Sequence, residues 1–289
     1  MHDRRYHRHL THRISGTLLF CGLIVTTTAA HADESAVGDF LGDWFERVAR
    51  TQAEQPHWVT PLVTVTPRLE QEWRSDFVTQ NQPRGTSTLN YGNGKGLELI
   101  PTEPTEFIFG VPAYIQHNHS KLHDGFGDVN FLVKYRLLSA NEEEGNYILT
   151  AFFGASAPTG NHDNSAREAV FTPTLAYGKG WGPFDVQGTV AGRIPQGDVS
   201  RLGTPFVSNT AFQYVVADRV WPEFEVNLTQ WPNGENSGNT EVLLTPGIVV
   251  GRLPIWKRLG LTLGTGVQIA ATHFNTTNNN WIVSLRLPF

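Results

Sequence analysis

The chain has 289 residues, of which 39% are hydrophobic and 17% charged, with 22 Lys and Arg against 27 Asp and Glu. This acidic balance argues against a nucleic-acid partner. A single cysteine excludes a disulfide framework.

Residues 1–32 have the three-part layout of a secretory signal. Four arginines precede the apolar run Ile14–Ala30, and Ala30 and Ala32 supply small residues at the cleavage site. The run is shorter than the roughly 20 residues of a membrane-spanning helix, although a retained anchor stays an alternative. Cleavage would remove four arginines, one aspartate and Cys21, leaving 18 basic and 26 acidic residues and a formal charge of −8.

Residues 33–57 are predicted to form a periplasmic helical segment. Within them, Ser35–Gln55 places apolar side chains at helical spacing. This face comprises Phe40, Leu41, Trp44, Phe45 and Val48. The helix could plug a barrel from below, lie on the inner leaflet surface of the membrane, or pack on itself.

Residues 58–289 alternate apolar and polar side chains with the period of β-strands. The alternation is clear in Arg68–Phe77, Asp128–Leu138, Phe184–Gly192, Pro222–Thr229, Leu259–Ala270 and Trp281–Phe289. Connections between strands are alternately short and long, as in outer-membrane barrels with short periplasmic turns and long external loops. The first strand is predicted within Trp58–Phe77, and Gly94–Ile115 must hold two strands joined at Pro101–Pro104.

This count gives an all-β fold: an antiparallel up-and-down transmembrane β-barrel of about 12 strands with a short N-terminal helix. Such a barrel belongs in the outer membrane of a Gram-negative bacterium. A soluble β-sandwich is the alternative. It explains the alternation, but not the inward charges, the loop asymmetry and the apolar last residue, Phe289, together.

The stretches Gly96–Tyr114, Gly125–Arg136 (GFGDVNFLVKYR) and Gly145–Gly160, with the terminal aromatic, resemble the MetA-pathway-of-phenol-degradation family of outer-membrane proteins. The resemblance covers most of the chain after residue 32. It implies a small outer-membrane transporter that passes hydrophobic or aromatic small molecules, and it supplies no catalytic or ligand residues. It also implies that Phe289 is a recognition signal for the barrel-assembly machinery.

Charged side chains recur at the positions predicted to face the barrel lumen. On the lipid face near mid-membrane, each Arg or Lys would cost about 2–4 kcal/mol. The predicted lumen-lining residues are Arg68, Glu70, Glu72, Arg74, Asp76, Glu106, Asp128, Lys134, Arg136, Asp185, Arg193, Glu223, Glu225, Glu241 and Arg286. They could form a polar channel that selects by charge and size, or a salt-bridged filling that closes the barrel.

Two other patterns are weaker candidates for sites. His117, His119, His123 and Asp124 share one predicted external loop and carry metal-ligand chemistry, although ordinary loop residues explain them as well. A hydrolase at the rim would need Ser, His and an orienting Asn or Asp, and the loops hold His162, Asp163, Ser165, His273 and Asn275. Most tryptophans flank strand ends and are predicted to form an interfacial belt, with aromatic ligand stacking second.

The predicted function is therefore a channel or transporter that passes small, hydrophobic or aromatic solutes without energy coupling. Its expected partners are outer-membrane lipid, the barrel-assembly machinery and small solutes, and no cofactor is expected. A lipid hydrolase at the rim and a closed structural or adhesion barrel are the alternatives. The oligomeric state stays open.

Overall fold

The computed structural model describes residues 34–289, apart from Arg84 and His162. The predicted signal segment, residues 1–32, lies outside these described residues. The chain divides into two compact units, one ending at Gly42 and the other comprising Asp43–Phe289. Helix α1, Glu34–Gly42, belongs to the first unit.

The predicted N-terminal helix is interrupted at Asp43. Helix α1 ends at Gly42, and α2 covers Trp44–Ala53. Glycine and aspartate both weaken a helix interior, glycine by backbone entropy and aspartate by competing for backbone hydrogen bonds. Within α2 the predicted apolar face is divided: Val48 is buried against Leu69 and Ile100, while Phe45 is exposed.

The second unit is a closed antiparallel sheet, in which the last strand pairs with the first. Its strands are β1 Glu72–Asn81, β2 Ser87–Gly92, β3 Gly96–Thr102, β4 Thr105–Gly110, β5 Tyr114–His117, β6 Gly125–Phe126, β7 Val129–Ala140, β8 Tyr147–Ala157, β9 Val170–Trp181, β10 Phe184–Gly192, β11 Ile194–Pro195, β12 Phe206–Tyr214, β13 Val220–Gln230, β14 Thr240–Trp256, β15 Leu259–Ala270 and β16 Asn279–Pro288. A one-turn helix, α3 Val199–Leu202, lies in the loop before β12.

These sixteen strands make twelve membrane spans, because four of the spans each consist of two consecutive strands separated by a local break. Strands β2 and β3 both pair with β1 and make one span. Strands β4 and β5 make the next span and β6 and β7 the one after it, because β5 pairs with both β2 and β6. Strand β11 extends β10 along β9. The prediction of two strands in Gly94–Ile115 with a turn at Pro101–Pro104 is confirmed, since Thr102 pairs with Thr105.

The outer and inner faces of the barrel differ in polarity. In β16, Trp281 and Val283 are 58% and 50% exposed, whereas the inward Ser284 and Arg286 are buried. Large apolar side chains likewise project outward from spans around the barrel, including Trp73, Phe77, Tyr135, Phe153, Leu175, Trp181, Phe224, Ile248 and Leu263. Such a surface is stable against lipid and costly against water. Among the described helices, none is long and apolar enough to cross a bilayer.

The first strand begins later than predicted. It starts at Glu72 and continues to Asn81, so only the last six residues of Trp58–Phe77 are strand. Residues 56–71 instead enter the lumen as irregular chain, and we call them the plug segment. Trp58 is therefore 6% exposed inside the barrel, and Trp221 is 5% exposed because it faces inward. The interfacial-belt prediction is wrong for these two tryptophans.

Candidate functional site: the lumen and its plug segment

The plug segment is a compact loop whose ends are joined at the mouth of the lumen. The Gln55 side chain donates to the Leu69 carbonyl (2.8 Å) and accepts from the Leu69 N–H (2.9 Å). Of residues 56–71, only His57, Val63 and Val65 are not buried. A buried irregular chain must satisfy every backbone polar group, and Pro56, Pro61 and Pro67 reduce the number of donors.

Inward carboxylates accept the N–H groups of the plug segment. Glu225 accepts from the N–H of Val63 (2.8 Å) and from both the N–H (2.6 Å) and Oγ1 (2.5 Å) of Thr64. Glu223 accepts from the Leu62 N–H at 3.0 Å. Together these two residues of β13 accept four hydrogen bonds and form one anchor for the tip of the plug segment.

Inward cations donate to its carbonyls. Arg286 donates to the carbonyls of Thr60 and Pro61, the latter at 2.8 Å. Arg74 donates to the Leu62 carbonyl (2.6 Å) and Arg252 to the Trp58 carbonyl (2.6 Å). The two signs of lumen charge thus complement the two kinds of backbone group.

Two apolar side chains fix the plug segment against glycines of the wall. Leu62 lies over Gly247, Gly264 and Gly266, where an added Cβ would come within 2.5–2.7 Å of its methyl groups. Trp58 lies over Gly178 and Gly180 in the same way. Glycine in a strand is commonly found where another chain approaches closely, and here that chain is the plug segment.

We expect Gly264→Val to displace the plug segment, because the new side chain collides with Leu62 in a closely packed site. Overpacking of this kind costs about 1–3 kcal/mol. Amide hydrogen exchange of the folded protein should then be faster in residues 56–71. Gly192→Val is the control, since nothing lies within 4 Å of an added Cβ there. Equal exchange in the two variants would contradict the contact.

Most of the predicted lumen-lining residues are buried inside the barrel. These are Arg68, Glu70, Glu72, Arg74, Asp76, Glu106, Lys134, Asp185, Glu223, Glu225, Glu241 and Arg286. Three ion pairs connect six of them: Arg68–Glu70 at 2.7 Å, Arg74–Asp76 at 2.8 Å and Lys134–Glu106 at 3.1 Å. The lumen is therefore a filled, hydrogen-bonded interior over much of its height.

Of the other three predicted lumen residues, Asp128 and Arg136 act at the two ends of the barrel, and Arg193 is exposed between β10 and β11. At the long-loop end, Asp128 accepts from the N–H groups of Gly160 and Ala166. Glu241, although buried, also accepts from that end, from Thr276. At the short-turn end, Arg136 bonds to the Thr51 carbonyl and to Glu54, which seats α2 against the barrel.

The sequence reasoning missed the neutral polar side chains and the residues at the mouth of the plug segment. Gln187 donates to the Val59 carbonyl (2.9 Å) and accepts from Thr66 (2.7 Å).

At the mouth, Glu142 accepts from the backbone N–H (2.6 Å) of His57 and is 2.8 Å from its ring Nδ1. Burial alone would raise the pKa of the Glu142 carboxyl, but these hydrogen bonds outweigh burial and lower it. Their contribution to stability is lost only as pH falls through that lowered pKa.

Among the cavities of the barrel, two lie on either side of the plug segment. One, of about 270 Å³, lies on its external side and is lined by Val65, Thr66, Lys95 and Arg193 among others. The second, also about 270 Å³, opens at the short-turn end and is lined by His57, Arg252 and neighbours.

The candidate metal and hydrolase groups are engaged in loop hydrogen bonds. His123 Nδ1 lies 2.8 Å from Asp163, and His117 Nε2 lies 2.7 Å from Asn164. No cluster of metal-binding side chains occurs among the described residues. In that same part of the chain no serine hydroxyl bonds a histidine ring, and the Ser165 hydroxyl accepts from the Arg167 N–H. His162, one of the candidates, lies outside it.

No family model matches the sequence. No curated protein matches it either. Among solved structures, an outer membrane channel from Pseudomonas putida F1 is similar to 80% of this chain and 98% of that one, with 14% identity and a TM-score of 0.54. Two other solved barrels are more distant. The translocator domain of the autotransporter NalP from Neisseria meningitidis has 9% identity and a TM-score of 0.43, and the match covers 89% of this chain and 96% of that one. Outer membrane phospholipase A from Escherichia coli has 11% identity and a TM-score of 0.38, and the match covers 84% of this chain and 97% of that one.

At these low sequence identities, the similarities show the fold alone. The chain has the closed twelve-stranded antiparallel barrel of outer-membrane proteins, and its outer face carries the apolar side chains that lipid requires. The protein is located in the outer membrane of a Gram-negative bacterium. Its short-turn end, with α2, then faces the periplasm.

Proposed function

We propose that this barrel is a passive channel for small solutes, and that the plug segment gates it. One observation supports this most directly: the plug segment separates two cavities of about 270 Å³ instead of filling the lumen completely. Reversible polar contacts hold it, and they can exchange with water if it moves. The plug segment belongs to residues 43–71, which precede the first strand, so it can leave the lumen without breaking the barrel.

The external cavity suits small solutes with an apolar body. Its wall includes Val65, Ile108, Leu132 and Val170 alongside polar groups. A cavity of this size lies just below the range of typical drug-sized sites, about 300–1,000 Å³. The resemblance to a family of transporters for hydrophobic or aromatic molecules favours the same substrate class.

A closed structural barrel is the second candidate, favoured by the buried ion pairs that fill the lumen around Lys134 and Glu106. Solute entry into liposomes separates the two functions. The intact protein should admit small solutes faster than protein-free liposomes, and Glu225→Ala, which removes an anchor of the plug segment, should admit them faster still. Entry at the protein-free rate by the intact protein, shown to be folded, would favour the structural barrel.

A further inference from the structure

We propose that the external cavity is a binding site for a small monoanionic carboxylate with a compact apolar body. This inference deepens the proposed function, on which it rests, by naming the substrate class. It is carried by the charges that line the cavity, because two of the four cations form no ion pair with any of the described residues.

The cavity contains four cationic side chains, and two of them are already neutralised. Arg74 pairs with Asp76 and Lys134 with Glu106. Lys95 and Arg193 form no ion pair and no side-chain hydrogen bond with any of the described residues. Lys95 is half-buried, so its ammonium loses part of its hydration without gaining a protein acceptor.

One carboxylate, Glu98, also lines the cavity without an ion-pair partner among the described residues. With Lys95 and Arg193 on one side and Glu98 on the other, the residues that line the cavity carry one formal positive charge beyond their ion pairs. A monoanion would neutralise the cavity, whereas a cation or a second positive group would not. Because Val65, Ile108 and Leu132 supply apolar surface beside the charges, the preferred anion carries an apolar body.

The path to and from the cavity has the same sign. Arg193 also lines a smaller cavity of about 100 Å³ under the external loops, so it faces both spaces. Across the plug segment, the periplasmic cavity is lined by Arg252, Lys257 and Arg258 in addition to the Arg68–Glu70 pair. Positive charge in a confined, partly desolvated path raises the local concentration of anions.

Binding to the folded, full-length mature protein in a zwitterionic detergent tests the site. The probe is benzoate, and benzamide, of similar shape but neutral, is the reference. Ligand NMR titrations should show benzoate binding about tenfold or more tightly than benzamide, because bonds between ionised groups are the strong ones. Lys95→Met and Arg193→Met should each weaken benzoate binding about tenfold and leave benzamide unchanged.

Lys121→Met is the matched control, because this exposed lysine lies in the external loop between β5 and β6 and does not line the cavity. It should leave benzoate binding unchanged. Equal binding of benzoate and benzamide, or an equal loss with Lys121→Met, would overturn the site. The titration requires no transport, so its failure leaves the channel proposal to be judged by solute entry. Specific binding without solute entry would instead overturn the channel.

Discussion

Lys134→Met should destabilise the barrel by about 3–5 kcal/mol, because it leaves the Glu106 carboxylate in the interior without a cation. The two side chains are 1% and 0% exposed and lie 3.1 Å apart. Lys134 also donates to the Arg68 carbonyl at 3.0 Å, so the substitution removes a contact with the plug segment as well. Urea unfolding of the refolded protein in lipid vesicles measures the loss.

Two further variants distinguish a buried charge from a general packing effect. The double variant Lys134→Met/Glu106→Gln should recover most of the stability, since it removes the uncompensated charge and keeps an acceptor for the Glu70 N–H, now 2.6 Å from Glu106. Arg201→Met breaks an exposed pair with Asp198 and should cost less than about 1 kcal/mol. A double variant as unstable as Lys134→Met would contradict the explanation.

Glu225→Ala should release the tip of the plug segment while the strands stay folded. The substitution removes the acceptor of three bonds, from the Val63 N–H, the Thr64 N–H and the Thr64 hydroxyl. Each buried donor left without a partner costs about 1–3 kcal/mol. Amide hydrogen exchange in residues 56–71 should accelerate at least about tenfold, whereas exchange in the strands should be unchanged.

Glu241→Ala is the matched control for this release. Glu241 is also buried and projects inward, but it accepts from Thr276 in the last external loop. Its removal should accelerate exchange in residues 271–278 and leave the plug segment protected. If both variants accelerated exchange in the plug segment equally, Glu225 would have no specific anchoring role.

The barrel could be predicted from the sequence because the side-chain pattern that produces it is periodic. Alternation of lipid-facing and lumen-facing side chains recurs in each span, and loop lengths then determine the side on which each strand begins. The break in the third span, around residues 111–113, did not disturb this count, because the pairing resumes on the same neighbours.

The plug segment could not be predicted in the same way, because irregular chain leaves no periodic pattern. Its partners are distant in sequence: Leu62 and Glu223 are 161 residues apart. The sequence placed the charges inward but could not show that they bind backbone groups of residues 56–71. A local signal did exist, since Gly264 and Gly266 interrupt the lumen face of β15 where Leu62 packs.

Electrical recording across a planar lipid bilayer tests the central claim, that the plug segment closes the lumen. The protein without its predicted signal segment, residues 1–32, is compared with a refolded chain that begins at Arg68 and therefore lacks α2 and most of the plug segment. The intact protein should give only brief and infrequent current steps, as the plug segment opens and closes, and the shortened barrel should give discrete, lasting steps. Lasting steps of the same size from both folded proteins would contradict closure by the plug segment.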